Sequence, residues 1–217
     1  MNIIWHGQSL FEIITTPQKN NQLKIVIDPF SENIGLRLPK LEADILLTTH
    51  LNRELINIDT VKGEPFLISN PGEYELKEVF IQGIPSWSNT KEGKEDNSNT
   101  IYTIESEDIK LCHLGIMGQK ELTTDQMEKI GEVDILMIPV GGLHTISAKE
   151  AVNIMSQIEP KVIIPMYYSL SKLKIKLDSL DSFLKTLGLK NIQPMPKLTI
   201  KKKDISGDEA KIIVLEP

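Results

Sequence analysis

The fold is decided by the stretch Ala43-Asp44-Ile45-Leu46-Leu47-Thr48-Thr49-His50-Leu51-Asn52-Arg53-Glu54-Leu55. Its first part is a short apolar run, which is typical of a buried strand. The strand ends at Thr49-His50, and the turn that follows carries the imidazole of His50 and the carboxylate of Glu54. Imidazoles and carboxylates bind metal ions when several of them converge from different loops. The stretch therefore predicts a strand whose end carries a candidate site.

The composition is that of an ordinary globular protein. The chain has 217 residues, of which 40% are hydrophobic and 25% charged, so we expect one domain, residues 1–217, with a substantial core. The net charge of -6 argues against a nucleic-acid surface, which needs clustered cations. No signal peptide and no apolar run of about 18 residues are seen, and the single Cys112 fits a reducing compartment. These features predict a cytoplasmic protein that binds neither nucleic acid nor membrane.

Short strands alternate with a few helices along the chain. Runs of β-prone residues predict strands at 2–6, 10–15, 22–28, 44–48, 66–69, 79–84, 101–105, 109–114, 134–139 and 161–166. A helix is predicted to begin near Thr123, and another over 147–158, where Ser147 and Glu150 fit a capping box. A third, amphipathic helix is predicted over 178–187.

The C-terminal part is interpreted as a closing hairpin of residues 199–203 and 211–215, and residues 89–98 as a surface loop. Strands mixed with a few helices predict an α/β (α+β) protein in which helices cover two sheets.

Several further motifs follow one another in a characteristic order. They are Trp5-His6-Gly7-Gln8-Ser9-Leu10-Phe11, Ile27-Asp28-Pro29-Phe30, Pro71-Gly72-Glu73-Tyr74-Glu75, Asn99-Thr100-Ile101-Tyr102, Cys112-His113-Leu114-Gly115, Ile138-Pro139-Val140-Gly141-Gly142 and Ile164-Pro165-Met166-Tyr167-Tyr168. With the turn after Thr49, they resemble the metallo-β-lactamase superfamily, in particular its lactonase-like branch (the ascorbate-6-phosphate lactonase type). The resemblance runs from about Asn2 to Tyr168. It implies a single-domain αββα sandwich with its site at one edge of the sheets, and hydrolysis by one or two divalent ions.

The resemblance also shows which metal-ligand positions have changed. His50 keeps the first His of the family's His-x-His-x-Asp-His signature. The other positions are occupied by Asn52 for the second His, Glu54 for the Asp, Leu55 for the last His, Ser88 for a later His, Ile116 for an Asp and Tyr167 for a final His. One imidazole and one carboxylate cannot close a tetrahedral site, and leucine and isoleucine cannot coordinate. We therefore predict an eroded site with no cofactor, where zinc or another divalent metal would bind only if the substitutions are compensated.

These replacements favour a catalytically inactive homologue, a pseudoenzyme with a binding, scaffold or regulatory role. Its pocket would lie at the former metal-ligand positions, which are His50, Asn52, Glu54, Leu55, Ser88, Ile116 and Tyr167. Such a pocket suits an unknown small molecule, neutral or partly apolar, or a protein partner. A homo-oligomer is left open.

Two enzymatic alternatives stay open, both of them hydrolases. A metal-dependent hydrolase of lactonase, phosphodiester or ester type would need His50, Glu54 and His6 as ligands. A metal-free hydrolase would use Ser88 as nucleophile, His50 as base and Glu54 as the orienting carboxylate. Alternatively, His50 is a structural histidine and Glu54 a carboxylate near a helix start, so no catalytic residue is assigned.

Overall fold

The computed structural model describes residues 1–18, 21–52, 54–88, 98–205, 207 and 210–217. Within these residues, the strands are, in chain order, β1 (Asn2–Trp5), β2 (Phe11–Gln18), β3 (Asn21–Ile27), β4 (Leu41–Glu42), β5 (Ile45–Leu47), β6 (Val61–Lys62), β7 (Phe66–Ile68), β8 (Gly72–Leu76), β9 (Val79–Trp87), β10 (Ser98–Ser106), β11 (Ile109–His113), β12 (Ile135–Pro139), β13 (Val162–Met166), β14 (Leu198–Thr199) and β15 (Lys211–Ile212). The helices are α1 (Thr124–Ile130), α2 (Ala148–Ile158) and α3 (Leu180–Thr186), and short 3-10 helices cover Glu32–Ile34, Ile58–Thr60 and Lys202–Asp204.

Most strands belong to two sheets. The first sheet has the order β14-β1-β2-β3-β5-β7, the second has the order β15-β13-β12-β11-β10-β9-β8, and β4 pairs with β6 alone. Each sheet contains a parallel part, β3-β5-β7 in the first and β11-β12-β13-β15 in the second. Strands β5, β12 and β13 are buried along their whole length, as expected of parallel strands with both faces covered.

The core lies between the two sheets and continues under the helices. Alternate residues of a strand face opposite sides, so Ile45 and Leu47 join the main core whereas Leu46 joins a smaller cluster on the outer face of the first sheet. On α2, the buried residues are Ala148, Ala151, Ile154 and Ile158, spaced three or four apart as for a helix with one buried face. The predicted fold class, an αββα sandwich of the metallo-β-lactamase type, is confirmed.

The predicted closing hairpin is wrong. Strand β14 pairs antiparallel with β1 in the first sheet, whereas β15 pairs parallel with β13 in the second. Between them, Lys202–Asp204 forms a 3-10 helix, in which the Asp204 carboxylate accepts a hydrogen bond from the Lys201 N–H at 3.0 Å. The C-terminal part therefore crosses from one sheet to the other instead of folding back on itself.

The predictions that rest on local signals agree better with the structure. Both helix-start signals are capping boxes, Thr123 with Gln126 and Ser147 with Glu150. Strand β8 and the β4–β6 pair were missed, and residues 89–97 of the predicted loop lie outside the described residues. Among the helices that the structure describes, none is long and apolar enough to cross a membrane.

Candidate functional site

The end of strand β5 is fixed by hydrogen bonds to both sheets. The Thr49 N–H and hydroxyl donate to the two carboxylate oxygens of Asp28, at 2.7 and 2.6 Å, and Asp28 follows the neighbouring strand β3. On the other side, the Thr49 carbonyl accepts a hydrogen bond from the Thr100 N–H of β10 at 2.7 Å. Because Thr49 is anchored on both sides, the adjacent, buried His50 occupies a defined position at the edge of the sandwich.

The turn between β1 and β2 forms the second wall of the site. The Gln8 carbonyl accepts hydrogen bonds from the Trp5 indole N–H at 2.9 Å and from the Tyr167 N–H at 3.2 Å. These bonds join the turn to the end of strand β13 in the other sheet. Gln8 is buried, and its side chain lies in the site.

His113 supports the same turn from below. Its Nδ1 accepts a hydrogen bond from the Gly115 N–H at 3.1 Å, so the ring proton is on Nε2, which donates to the Ser9 carbonyl at 3.0 Å. Complete burial lowers the pKa of His113, opposed by the nearby Asp28 charge and by the Ser9 hydrogen bond. His113 is therefore a neutral imidazole with a structural role, because both of its ring nitrogens are used in hydrogen bonds to the protein backbone.

These segments enclose a cavity of about 10 Å³, close to the volume that one water molecule needs. Its polar wall contains Gln8, Asp28, His50 and Tyr167, and we call it the Asp28 cavity. Its other lining residues are Ser9, Phe30, Ile34, Leu55, Ile56 and Ile175.

Three residues of the Asp28 cavity have strained backbones. The φ angles of Gln8, Asp28 and Tyr167 are 50°, 51° and 53°, in the left-handed region that non-glycine residues rarely occupy. Such conformations cost about 1 kcal/mol or more each and are found preferentially at functional sites. Backbone hydrogen bonds from Asp28 to Leu47 and from Tyr167 to Gln8 keep these residues in the strained conformation. The strain is therefore concentrated around the cavity.

The buried polar groups of the cavity are not all satisfied by the protein. Within the described residues, Gln8 Nε2, Gln8 Oε1 and the Tyr167 hydroxyl have no hydrogen-bond partner. Burial, and secondly the charge of Asp28, raise the pKa of Tyr167, so its phenol is neutral at physiological pH. A phenol, an amide and a carboxylate therefore belong to residues that line one cavity of about 10 Å³.

The structure brings together only part of the predicted pocket. His50, Leu55 and Tyr167 line the Asp28 cavity. Asn52 shapes the turn instead, because its side-chain oxygen accepts the Glu54 N–H at 3.0 Å, and Glu54 itself is exposed.

Ser88 and Ile116 are buried but do not line this cavity. The Ile116 N–H donates to the side-chain oxygen of Asn99 at 2.9 Å, and Asn99 in turn donates to Ser86 and to the Leu114 carbonyl. Ile116 therefore belongs to a separate buried hydrogen-bond network, which Asn99 connects to Ser86 and Leu114.

The residues that the structure describes do not fit a divalent metal site. Throughout the described ranges, no group of three or more His, Cys, Asp or Glu side chains could hold an ion. The ligand set of the alternative metal-dependent hydrolase is not assembled, since His6 Nε2 lies 3.4 Å from Glu12 Oε2 and Glu54 is exposed. The exposure of Glu54 also disfavours the metal-free triad, whose other members, His50 and Ser88, are buried.

His50 also faces an open groove of about 560 Å³, within the range of small-molecule sites. We call it the His50 groove, and its lining residues are Ser31, Asn33, Thr48, His50, Leu51, Ile56, Asn57, Ile58, Asp59, Leu67 and Ser69. The Thr48 hydroxyl is buried and has no hydrogen-bond partner among the described residues, whereas Leu51, Ile58 and Leu67 are exposed. The groove therefore combines a polar floor with an apolar rim.

Gln8 and Asp28 are the site residues that the sequence interpretation missed. Both lie inside motifs used for the resemblance. The opening motif of the lactonase-like branch reads Trp-x-Gly-His-Ser-x-Phe, and in the resemblance Gln8 stands at its His position. That replacement was the available signal. No local pattern, however, shows that the two side chains meet Tyr167.

Comparisons with known proteins agree with this architecture. Residues 2–167 match the family model described as a β-lactamase superfamily domain. A Thermotoga maritima structure, described as a Zn-dependent hydrolase of the metallo-β-lactamase superfamily, is 33% identical with a TM-score of 0.79, over 99% of this chain and 97% of that chain. A UPF0173 metal-dependent hydrolase of Thermococcus onnurineus is 24% identical over 97% of this chain and 94% of its own length. A metallo hydrolase from Ignicoccus hospitalis shares the fold, with 16% identity and a TM-score of 0.65 over 100% of this chain and 95% of that chain.

These relatives correct one prediction. The expectation of no cofactor is wrong, because proteins similar along nearly the whole chain are named metal-dependent or Zn-dependent hydrolases, which points to a divalent metal cofactor. The replaced ligand positions misled the prediction because it judged coordination from those positions alone. The lactonase-like branch is not named by the comparisons and stays a prediction. The matched model and the Thermotoga maritima relative show that the chain belongs to the metallo-β-lactamase superfamily.

Proposed function

We propose that this member of the metal-dependent hydrolase family binds a ligand in the His50 groove without hydrolysing it. One observation carries the proposal: the side chains at the family's ligand positions do not form a group of three metal-binding residues in the described part of the chain. Hydrolysis in this superfamily depends on ions that activate water and polarise the substrate. On this proposal the groove is retained for binding, and these side chains no longer provide the usual ligands for such ions.

The chemistry of the groove suggests a small molecule that is neutral or partly apolar. The hydroxyl of Thr48 and the imidazole of His50 can hydrogen-bond one polar group of such a ligand, and Leu51, Ile58 and Leu67 can contact its apolar part. Asp59 at the wall disfavours an anion. The chain's net charge of -6 supports a small molecule over a nucleic acid, and we place the protein in the cytoplasm on the composition given above.

The second candidate is a metal-dependent hydrolase with a rearranged site. The printed names of the relatives favour it, since they describe metal-dependent hydrolases. On this alternative, a divalent ion would be held by fewer protein groups than is usual in the superfamily.

Hydrolysis assays distinguish the two candidates. Purified protein is incubated with p-nitrophenyl acetate, bis-p-nitrophenyl phosphate and a lactone, each with added Zn²⁺ or Mn²⁺ and with EDTA. We expect no turnover above the buffer rate under any of these conditions. Turnover that rises with a metal and disappears with EDTA would refute the proposal and support the second candidate.

A variant with restored ligands provides the positive control. It carries Asn52→His, Glu54→Asp, Leu55→His, Ser88→His, Ile116→Asp and Tyr167→His. If the scaffold still supports the ligand geometry, this variant should bind zinc stoichiometrically and gain metal-dependent turnover.

Ligand binding is tested with the neutral apolar dye Nile red. Leu67 lines the groove and is 43% exposed, whereas Leu189 lies outside it and is 38% exposed. We expect Nile red fluorescence to increase with the wild-type protein and with Leu189→Ser, and to weaken at least several-fold with Leu67→Ser. Equal binding by both variants would place the dye elsewhere and count against the groove.

A further inference from the structure

The Asp28 cavity contains a buried carboxylate whose hydrogen-bond donors in the described part of the chain are uncharged groups. The Asp28 side chain is 1% exposed, and its hydrogen-bond donors are the N–H and hydroxyl of Thr49. Within the described residues it forms no salt bridge. Buried charges in proteins are normally paired or coordinate an ion. A cation in the adjacent cavity would supply a counter-charge for this carboxylate.

The neighbouring groups offer oxygen atoms to the same space. Gln8 and Tyr167 line the cavity. Gln8 Oε1 and the Tyr167 hydroxyl are buried and have no hydrogen-bond partner among the described residues. With Asp28, they provide an amide, a phenol and a carboxylate oxygen. Oxygen ligands of this kind suit hard cations. All three residues line this one cavity, and each has a backbone φ in the left-handed region.

The size of the cavity decides between classes of cation. Its volume of about 10 Å³ admits one particle of about the size of a water molecule. Mg²⁺ usually retains several waters, for which this space has no room. A divalent ion would also leave one positive charge uncompensated beside the single carboxylate of Asp28. K⁺ and NH₄⁺ are close to a water molecule in size, and a single charge matches a single carboxylate. We propose that the Asp28 cavity is a binding site for a dehydrated monovalent cation of the size of K⁺ or NH₄⁺, coordinated by Asp28, Gln8 and Tyr167.

His50 is the other group that could neutralise Asp28, because its imidazole lines the same cavity. His113 is excluded as a counter-charge by the hydrogen bonds that fix it as a neutral imidazole. The test is therefore repeated with a His50→Gln variant, which has no imidazole. A cation effect that persists in this variant does not come from protonation of His50.

Thermal unfolding measures the proposed binding directly. The full chain is unfolded in KCl, NH₄Cl or choline chloride at constant ionic strength, since choline is too large for the cavity. We expect Tm to rise with K⁺ and to saturate, by about 3–6 °C at a K⁺ concentration ten times the dissociation constant. Identical Tm values in K⁺, NH₄⁺ and choline would overturn the proposal and leave a water molecule as the occupant. Stabilisation by Zn²⁺ or Mn²⁺ alone would overturn it as well.

Two adjacent tyrosines supply the matched variants. Tyr167 and Tyr168 are both buried, but only Tyr167 lines the cavity. Tyr167→Phe should raise the K⁺ concentration at half-maximal stabilisation at least tenfold, and Tyr168→Phe should leave it unchanged. The most direct variant, Asp28→Asn, removes the buried charge itself. The tyrosine variants remove only a hydroxyl, so their comparison remains available if Asp28→Asn does not fold. An equal shift in both variants would show that the effect is unrelated to the cavity.

Crystals soaked in rubidium or thallium salts give an independent readout. An anomalous peak between Asp28, Gln8 and Tyr167 is expected in the wild type and should be lost in Tyr167→Phe or much reduced. A peak elsewhere, with none in the cavity, would refute the assignment. The cavity and the His50 groove share His50 and Ile56, but Tyr167 lines only the cavity and Leu67 only the groove. Nile red binding by Tyr167→Phe therefore measures the proposed function independently of the cation site.

Discussion

Two neighbouring threonines allow a direct test of how the site is anchored. Thr48 and Thr49 are both buried, 2% and 1% exposed, and valine has nearly the shape of threonine. The Thr49 hydroxyl donates at 2.6 Å to the buried carboxylate of Asp28, whereas the Thr48 hydroxyl has no hydrogen-bond partner among the described residues. Substitution by valine therefore removes a charge-assisted hydrogen bond at one position and an unsatisfied hydroxyl at the next.

The expected magnitudes differ clearly. A hydrogen bond to a charged group contributes about 1.5–3 kcal/mol, so Thr49→Val should lower the free energy of unfolding by about 2 kcal/mol. The Thr49 N–H still donates to Asp28 at 2.7 Å, which limits the loss. For a chain of 217 residues, this corresponds to a decrease in Tm of about 4–8 °C. Thr48→Val should change the free energy of unfolding by less than about 0.5 kcal/mol, or raise it, because no buried partner loses its hydrogen bond.

Equilibrium unfolding in urea checks this prediction. The midpoint should fall for Thr49→Val with an unchanged m-value, which would show that stability and not the exposed surface has changed. Equal losses for the two variants would refute the assigned roles of the two hydroxyls. A loss below about 0.5 kcal/mol for Thr49→Val would show that Asp28 does not depend on this donor.

Three further predictions concern the surrounding framework. Tyr102→Phe should cost about 1–2 kcal/mol in urea unfolding, because its hydroxyl donates at 3.1 and 3.3 Å to two carbonyls of the first sheet; an unchanged midpoint would contradict this. Gly115→Ala should cost more than about 2 kcal/mol, since its φ is 62° and a Cβ would lie 2.7 Å from that of Thr49, and wild-type stability would refute the crowding. The unfolded chain takes up a proton on His113 below about pH 6.5 that the folded protein excludes, because burial lowers the folded pKa. Stability should therefore fall as pH decreases from about 6.5, by up to about 1.4 kcal/mol per pH unit, and His113→Gln should flatten this slope; an unaltered slope in that variant would assign the dependence to another group.

The parts of the fold that the sequence predicted depend on local signals. The capping boxes at Thr123 and Ser147 involve residues three positions apart, and the continuous apolar runs of β5, β12 and β13 identify buried strands from composition alone. The ends of the chain were misassigned because pairing between distant strands leaves no local signature. Residues 199–203 and 211–215 have the spacing of a hairpin, but the register shows that their partners are β1 and β13.

The sequence predicted a pocket at the sheet edge around His50, and the structure shows that His50, Leu55 and Tyr167 line one cavity there. A functional role for these residues stays a prediction. Gln8 and Asp28 were missed because their importance comes from convergence across both sheets. The exposure of Glu54 depends on the turn that Asn52 shapes, which residue types alone do not reveal.

The pairing of β1 with the edge strand β14 in the first sheet also affects how the protein can be synthesised. Asn2 lies opposite Thr199 in that sheet, and their side chains are hydrogen-bonded although they are 197 positions apart in the chain. While the polypeptide is still leaving the ribosome, β1 therefore has one edge with unpaired N–H and C=O groups until β14 has emerged. Loop closure over such a separation is slow, and an exposed strand edge can pair with other chains. We expect the nascent protein to depend on a chaperone or on rapid translation of its last segment to avoid aggregation.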